Sequence, residues 1–360
     1  MENVPTKFLY KASYNDYKNK SVHFSNTRIA AYFERQWETI TTGARIRYFI
    51  KPRNELYPID LNAGYQEYLM TSLYSKHVDL CLKYAMSAED CKIKNRTKVY
   101  TRCGTLVNIM ESISSKKSKE LSICVTRYNG NIYMTTENSN EGEKTQGDLE
   151  VQSPIETHHN QLKRYLFSDS PYNQPNITKP WNENIELLAV FRSNLNKYDI
   201  FYSGPVQAIM AKEQFDDFNN MDELNKCRFV LIKQMWNDLE NEKQNRKFLR
   251  YLFMAHLIKV NDIFVGYKDK KGLVEHPLQH RIVSKLPKHF FNKLSIGEAF
   301  LFDFLERVEK LMSNVNCLNT VYVFKIKRNI NCIRYQVYEG KTDKTFITKE
   351  YIDYCQNENN

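Results

Sequence analysis

The segment SIGEAFLFDFLERVEKLM at 295–312 carries the strongest folding constraint in the chain. Phe300, Leu301, Phe304, Leu305, Val308, Leu311 and Met312 recur at helical spacing, and Ser295 with Glu298 spells a capping box, so a helix is expected over 295–313. A stripe that wide must be covered by other elements. Segments rich in Tyr, Ile and Val, often alternating in polarity, predict strands at 98–109, 121–136, 198–209, 228–234, 262–267, 320–327 and 332–338. Two further helices are expected at 64–86 and 245–259. Helices interspersed irregularly among strands imply an α+β fold with mixed β-sheets flanked by helices.

No internal repeat or long low-complexity tract interrupts this pattern, so residues 1–360 are expected to form a single domain. The polar stretch ENSNEGEKTQGDLEVQS at 137–153 reads as a flexible surface loop, because patterned segments resume on both sides. Lys and Arg outnumber Asp and Glu by 52 to 42, giving a net charge of +10. That excess suits an anionic partner such as nucleic acid, or simply a solvated basic surface, since no basic block exceeds SSKKSKE at 114–120. Eight cysteines without a CxxC pair argue against a zinc site and a disulfide framework, so no metal or other cofactor is expected. With no apolar signal core at its start, the chain is expected in the cytosol or nucleus.

Two short segments bear on chemistry: YSGPVQAI at 202–209 and FVLIKQ at 229–234. Many nucleases present a carboxylate from one strand and Glu-x-Lys from the next, because period-two geometry places the Glu and Lys on one face. Here 205 and 207 share one face while 229, 231 and 233 share another, but the occupants are Pro205, Gln207, Phe229, Leu231 and Lys233. The shape of such a site is present without its acids. GxGxxG, P-loop, GxSxG and HExxH motifs are absent, and His158 and His159, following a polar loop, receive no role.

In series, FRSNL (191–195), SGPVQ (203–207), FVLIKQ (229–234), KFLRYLFMAHL (247–257) and IFVGYKDKKG (263–272) resemble the DXO family of RNA 5′-end decapping nucleases. The resemblance runs from DLNAGY (60–65) to the C-terminal strands and implies the decapping-nuclease (DXO-like) fold. Active members hold divalent metal and hydrolyse RNA with aberrant 5′ ends through an Arg-Gly, a Glu, a strand with Glu and Asp, and a Glu-x-Lys. Carried over, the arginine falls on Cys103 in YTRCGTL and the first glutamate on Thr136 in NIYMTTE. The next Glu and Asp fall on Pro205 and Gln207, and the last Glu on Leu231, with Lys233 alone retained.

What this implies is a catalytically inactive member, with no metal-site acids and no catalytic residue. Its degenerate branch implies a nuclear adaptor, working with the Rhino and Deadlock chromatin proteins, that protects nascent piRNA precursors from 5′-end processing, splicing and termination. Lys233 is the candidate RNA contact, docking a phosphate without metal; the alternative is that Leu231 and Pro205 fill the pocket while Lys233 reaches water along their apolar surface. Two other readings stay open. One is an active hydrolase using displaced acids such as Glu137 and Glu213; Arg102 and Glu137 each sit one residue from the family position, a shift that turns a strand side chain to the opposite face, and Glu213, Asp216 and Asp217 fall beyond the strand in a solvated loop. The other is a protein-only scaffold without RNA binding.

Overall fold

The computed structural model describes residues 4–36, 39–42, 45–68, 78–91, 96–115, 120–137, 153–328, 330 and 332–357. Seven α-helices lie among them: α1 (Val78–Ser87), α2 (Cys103–Ser112), α3 (Pro154–Arg164), α4 (Met221–Lys226), α5 (Asn241–Leu257), α6 (Lys288–Leu311) and α7 (Lys349–Asn357). Ten strands pair into one large sheet, running from edge to edge as Lys7–Lys11, Cys332–Tyr338, Cys317–Lys327, Leu121–Tyr128, Asn131–Thr136, Thr97–Arg102, Tyr198–Pro205, Ile185–Leu195, Phe24–Gln36 and Thr39–Thr42. Six more form a second sheet in the order Gln279–Ile282, Asp262–Lys268, Phe229–Trp236, Ala208–Ile209, Tyr48–Phe49 and Phe167–Ser168. Parallel and antiparallel pairs occur in both, so the mixed α+β architecture stands.

One core cluster joins the two sheets through the helices. Leu106 and Ile109 of α2, Leu252 and Phe253 of α5, and Phe300 and Phe304 of α6 pack with Ile123 and Ile200 of the large sheet and Leu231 and Ile263 of the small one. The stripe read from 295–312 is therefore covered, as its width requires. Leu80 and Leu82 of α1 and Tyr351 of α7 pack in a separate cluster with Tyr100, Tyr133 and Phe201 of the large sheet. Leu162 of α3 packs on Val230, Ile232 and Phe264 of the small sheet, so alternate residues of the 229–236 strand belong to different cores.

Several sequence expectations change. The predicted strand at 98–109 ends at Arg102, and α2 begins at Cys103. Leu106, Val107, Ile109 and Met110 are all buried, so helical spacing overrides the β-propensity of the segment. The strand at 121–136 is a hairpin, turned at Asn129 (φ 47°) and Gly130 (φ 78°), two left-handed residues that match the twist of paired strands. The strand at 198–209 breaks after Pro205, and Ala208–Ile209 joins the other sheet. The helix at 64–86 is a 3₁₀ turn at Tyr65–Glu67 and then α1 from Val78; residues 69–77 lie outside the described residues, as do 138–152 of the loop placed at 137–153. Among the described residues no helix is long and apolar enough to cross a membrane.

The capping box at Ser295 and Glu298 does not form, because α6 starts earlier, at Lys288 after Pro287. Glu298 instead is a buried carboxylate, 1% exposed, that accepts from the Phe24 amide (3.1 Å), from His23 Nδ1 (2.9 Å) and from His256 Nε2 (2.8 Å). It ties the start of the 24–36 strand and the end of α5 to α6. The histidine pair also departs from expectation: His158 is 1% exposed rather than a surface residue. Its Nδ1 accepts from Lys268 Nζ (2.7 Å), which leaves Nε2–H to donate to Asn62 Oδ1 (3.1 Å). Gly272, at φ +82°, leaves room for this pair, since a Cβ there would lie 2.7 Å from His158 Cε1.

Two predictions follow from these buried polar groups. Glu298→Ala strands the Phe24 amide and both imidazoles, and should lower the unfolding free energy by about 1.5–3 kcal/mol in chemical denaturation. Burial, then the adjacent Lys268 charge, pushes His158 down to about 4. The unfolded chain titrates near its ordinary ~6.5 and takes up the proton first, so stability is full above that pH and is lost as pH falls toward the folded value. His158→Gln preserves both hydrogen bonds without titrating; between pH 7.5 and 5 the native chain should lose about 2 kcal/mol that this variant keeps.

Candidate functional site

The two sheets are joined covalently at Ser203–Ala208. Pro205 is the last residue paired to the large sheet, opposite Leu188, and the Val206 amide donates to Leu187 O at 2.9 Å. Two residues later Ala208 pairs with Val230 of the small sheet. Between them the Gln207 side chain is committed: its Oε1 accepts from the Ile232 amide at 2.6 Å. Gly204 permits the crossing, because a Cβ there would lie 3.1–3.3 Å from Ile258, Phe191 and Cys103.

Beside this join is a cleft of about 250 Å³, lined by Pro205, Val206 and Gln207, by the 185–188 end of the neighbouring strand, and by Lys163 and Asn160 of α3. Arg47, Trp181, Glu183 and Glu186 complete the polar wall. Pro205 and Gln207 both line this cleft. Leu231 is one step away, fully buried in the main core, and fills the interior rather than the opening. Lys233 does not line this cleft. It lies on the Leu231 face of its strand, with Nζ 5.5 Å from the Tyr251 ring of α5 and its charge close to Cys103 and Arg250.

Thr136 also lies elsewhere. Its amide donates to Thr105 Oγ1 at 3.2 Å and its hydroxyl is 3.1 Å from that same oxygen, fixing it to α2. Of the displaced acids, Glu137 pairs with Lys344 at 2.7 Å, and Glu213, Asp216 and Asp217 are exposed on a loop. Arg102 turns toward Asp79 of α1, whereas Cys103 contacts the opposite core, as the one-residue alternation requires. None of these lines the cleft.

Among the residues that line it and that the sequence reading missed are two cations, Arg47 and Lys163, and two carboxylates, Glu183 and Glu186. Burial first, then Lys233 and Arg47, push Lys163 down to about 7, while Glu183 and Glu186 act in the opposite direction. Burial, with Arg250 next, pushes Lys233 down to about 8. The two acids are already engaged: Glu183 Oε1 accepts from Asn160 Nδ2 (2.5 Å) and sits 3.1 Å from His159 Nε2, and Glu186 pairs with Arg35 at 3.7 Å. Burial holds the Glu186 carboxyl above its usual range.

A divalent cation of the Mg²⁺ type needs several converging oxygen ligands, chiefly carboxylates. Among the described residues no group of three or more His, Cys, Asp or Glu converges. At the join stand a committed amide and a proline without a polar side-chain atom, faced by Lys163, Arg47 and two carboxylates, Glu183 and Glu186, that are already engaged. This set does not fit the metal that the nuclease resemblance implies where its acids are present.

A family model described as RAI1 like PD-(D/E)XK nuclease matches residues 24–352. The Drosophila melanogaster Decapping and exoribonuclease protein Rai1 is 23% identical over 277 residues, covering 72% of each chain. Protein cutoff of Drosophila melanogaster is 19% identical over 246 residues, covering 68% of this chain and 63% of that one. Among solved structures, Scheffersomyces stipitis Rai1 in complex with (3′-NADP)+ and calcium ion superposes with a TM-score of 0.73 at 11% identity, covering 99% of both chains. Candida albicans Rai1 in complex with pU5-Mn²⁺ gives 0.72 at 14% identity, over 98% of this chain and 99% of that one. The structures establish the shared fold, and the family match spans nearly the whole sequence: the chain belongs to the RAI1-like PD-(D/E)XK nuclease family.

Proposed function

We propose that this chain is a catalytically inactive member of its family that holds RNA 5′ ends without metal. The observation that carries this reading is the lining of the cleft: Pro205 and Gln207, on which the family resemblance places metal-holding acids, bring no charge, while Lys163 and Arg47 line the opening and its two carboxylates, Glu183 and Glu186, are engaged by Asn160, His159 and Arg35. Lys233 adds positive potential from behind the wall, as its effect on Lys163 indicates. Cations with spare donors bind phosphate directly, whereas a site built of carboxylates needs a metal to do so. The bound pU5 of the Candida albicans relative supports the ligand class.

In the cell, this reading is of a nuclear adaptor that protects nascent piRNA precursors from 5′-end processing, splicing and termination, with Rhino and Deadlock chromatin proteins as partners. The whole described fold serves as one domain for that role. This assignment draws on the likeness to Protein cutoff, which at 19% identity is weaker than the 23% likeness to the decapping protein Rai1.

The testing experiment pairs cleavage with binding, using purified chain and RNA bearing a 5′-triphosphate, a 5′-monophosphate or a cap. Binding in EDTA with no product in Mg²⁺ or Mn²⁺ is expected; metal-dependent product above a mock preparation would return the chain to the hydrolases. Absence of both would leave a protein-only scaffold. Reintroducing an acid should not restore turnover. Leu231→Glu places a carboxylate in a fully buried core position and should cost about 3 kcal/mol or more of stability in a denaturant titration, without gain of cleavage.

A further inference from the structure

Lys163 and Arg47 share one aromatic surface. The Lys163 ammonium is 5.7 Å and the Arg47 guanidinium 4.8 Å from the centre of the Trp181 ring. Lys163 donates to Asn160 Oδ1, and Arg47 Nη2 donates to the Ile185 carbonyl at 3.3 Å. Each of these bonds uses one of several donor hydrogens, three on an ammonium and five on a guanidinium. Among the described residues neither cation makes an ion pair, because Glu186 pairs with Arg35 and Glu183 with His159. Two partly buried positive groups with spare donors therefore face one small cleft, whose two carboxylates, Glu183 and Glu186, are held by other partners.

We propose that Lys163 and Arg47, set against Trp181, form a fixed cation pair that receives a terminal phosphoryl group in place of a divalent ion. The proposal rests on the reading that the cleft holds RNA 5′ ends, and it names the receiving residue as Lys163 rather than Lys233. Arg47 supplies a planar donor fork and Lys163 a point charge, the two complementary modes of phosphate recognition. The low proton affinity of Lys163 has burial, Lys233 and Arg47 as its causes, so an arriving dianion would restore its charge. At about 250 Å³ the cleft falls below the range of roughly 300–1,000 Å³ that encloses drug-sized ligands. It suits a terminal phosphate and part of the first ribose better than a cap nucleoside.

The test measures anisotropy of a 5′-monophosphorylated RNA against the full chain in EDTA, with the 5′-hydroxyl and capped forms as controls. Lys163→Met should weaken the phosphorylated RNA by about tenfold or more, Lys163→Arg should stay within about threefold, and Lys233→Met likewise within about threefold. Binding by the native chain that Lys163→Met leaves unchanged overturns this proposal alone; no binding by the native chain overturns it together with the reading beneath it. A measurement that needs no lysine variant guards against misfolding. Titrating inorganic tripolyphosphate should alter tryptophan emission in the native chain, and Trp181→Phe should abolish that change; emission indifferent to the anion would also overturn the cation pair.

Discussion

The shortest of the several chain crossings between the two sheets, Ser203 to Ala208, governs the site of this molecule. The large sheet must release the strand after Pro205, and the small sheet must capture it at Ala208, with only Val206 and Gln207 between. A strand change this abrupt leaves backbone groups to be satisfied. Val206 N–H finds Leu187 O, and the Ile232 amide finds the Gln207 side chain. Because a buried amide without a partner costs about 1–3 kcal/mol, Gln207 has a structural duty that a carboxylate or an apolar residue would discharge differently. The cleft exists because two sheets diverge from that join, and its floor is made of the residues that make the join.

Electrostatics then follow from what the floor lacks. A nuclease floor of carboxylates would balance cations brought in from the surrounding elements. Here the floor is neutral, and the two acids that line the cleft with Lys163 and Arg47 are engaged by other partners, Glu183 by Asn160 and His159 and Glu186 by Arg35. Burial is the first cause that lowers Lys163, Lys233 and Arg47, and neighbouring cations add to it: Lys233 and Arg47 act on Lys163, and Arg250 acts on Lys233. Glu111 meets part of that need through Arg250 at 2.7 Å, but it lies on α2, away from the opening.

Much of the fold was legible in local pattern. Period-two segments at 332–338 and 121–136, with Asn129–Gly130 between the latter pair of strands, became strands, and the aromatic stripe of 300–312 became the face of the longest helix. The misreadings share one cause: residues that look alike in a window were sorted by partners far along the chain. Ser295 and Glu298 match a cap locally, yet Glu298 answers to Phe24, more than 250 positions earlier. The site divided similarly. Pro205 and Gln207 were found because a strand motif marks them, whereas Lys163, Arg47 and Trp181 belong to three unrelated segments that only tertiary folding brings together. His158 and His159 looked like solvent-facing neighbours, but helical geometry turns one into the core beside Lys268 and the other to the cleft rim.

The outermost pair of strands in the large sheet joins Lys7–Lys11 to Cys332–Tyr338. On a ribosome, the first of these emerges long before the second exists, and the sequence between them must be threaded into place meanwhile. Such distant pairing is slow to form, since chain entropy is lost before the contact returns anything. Throughout that interval the early strand carries an open edge and the side chain of Phe8, which stays 64% exposed even in the finished fold. The edge strand can be set only once its distant partner has been made, and until then it is an open edge that a temporary companion would protect.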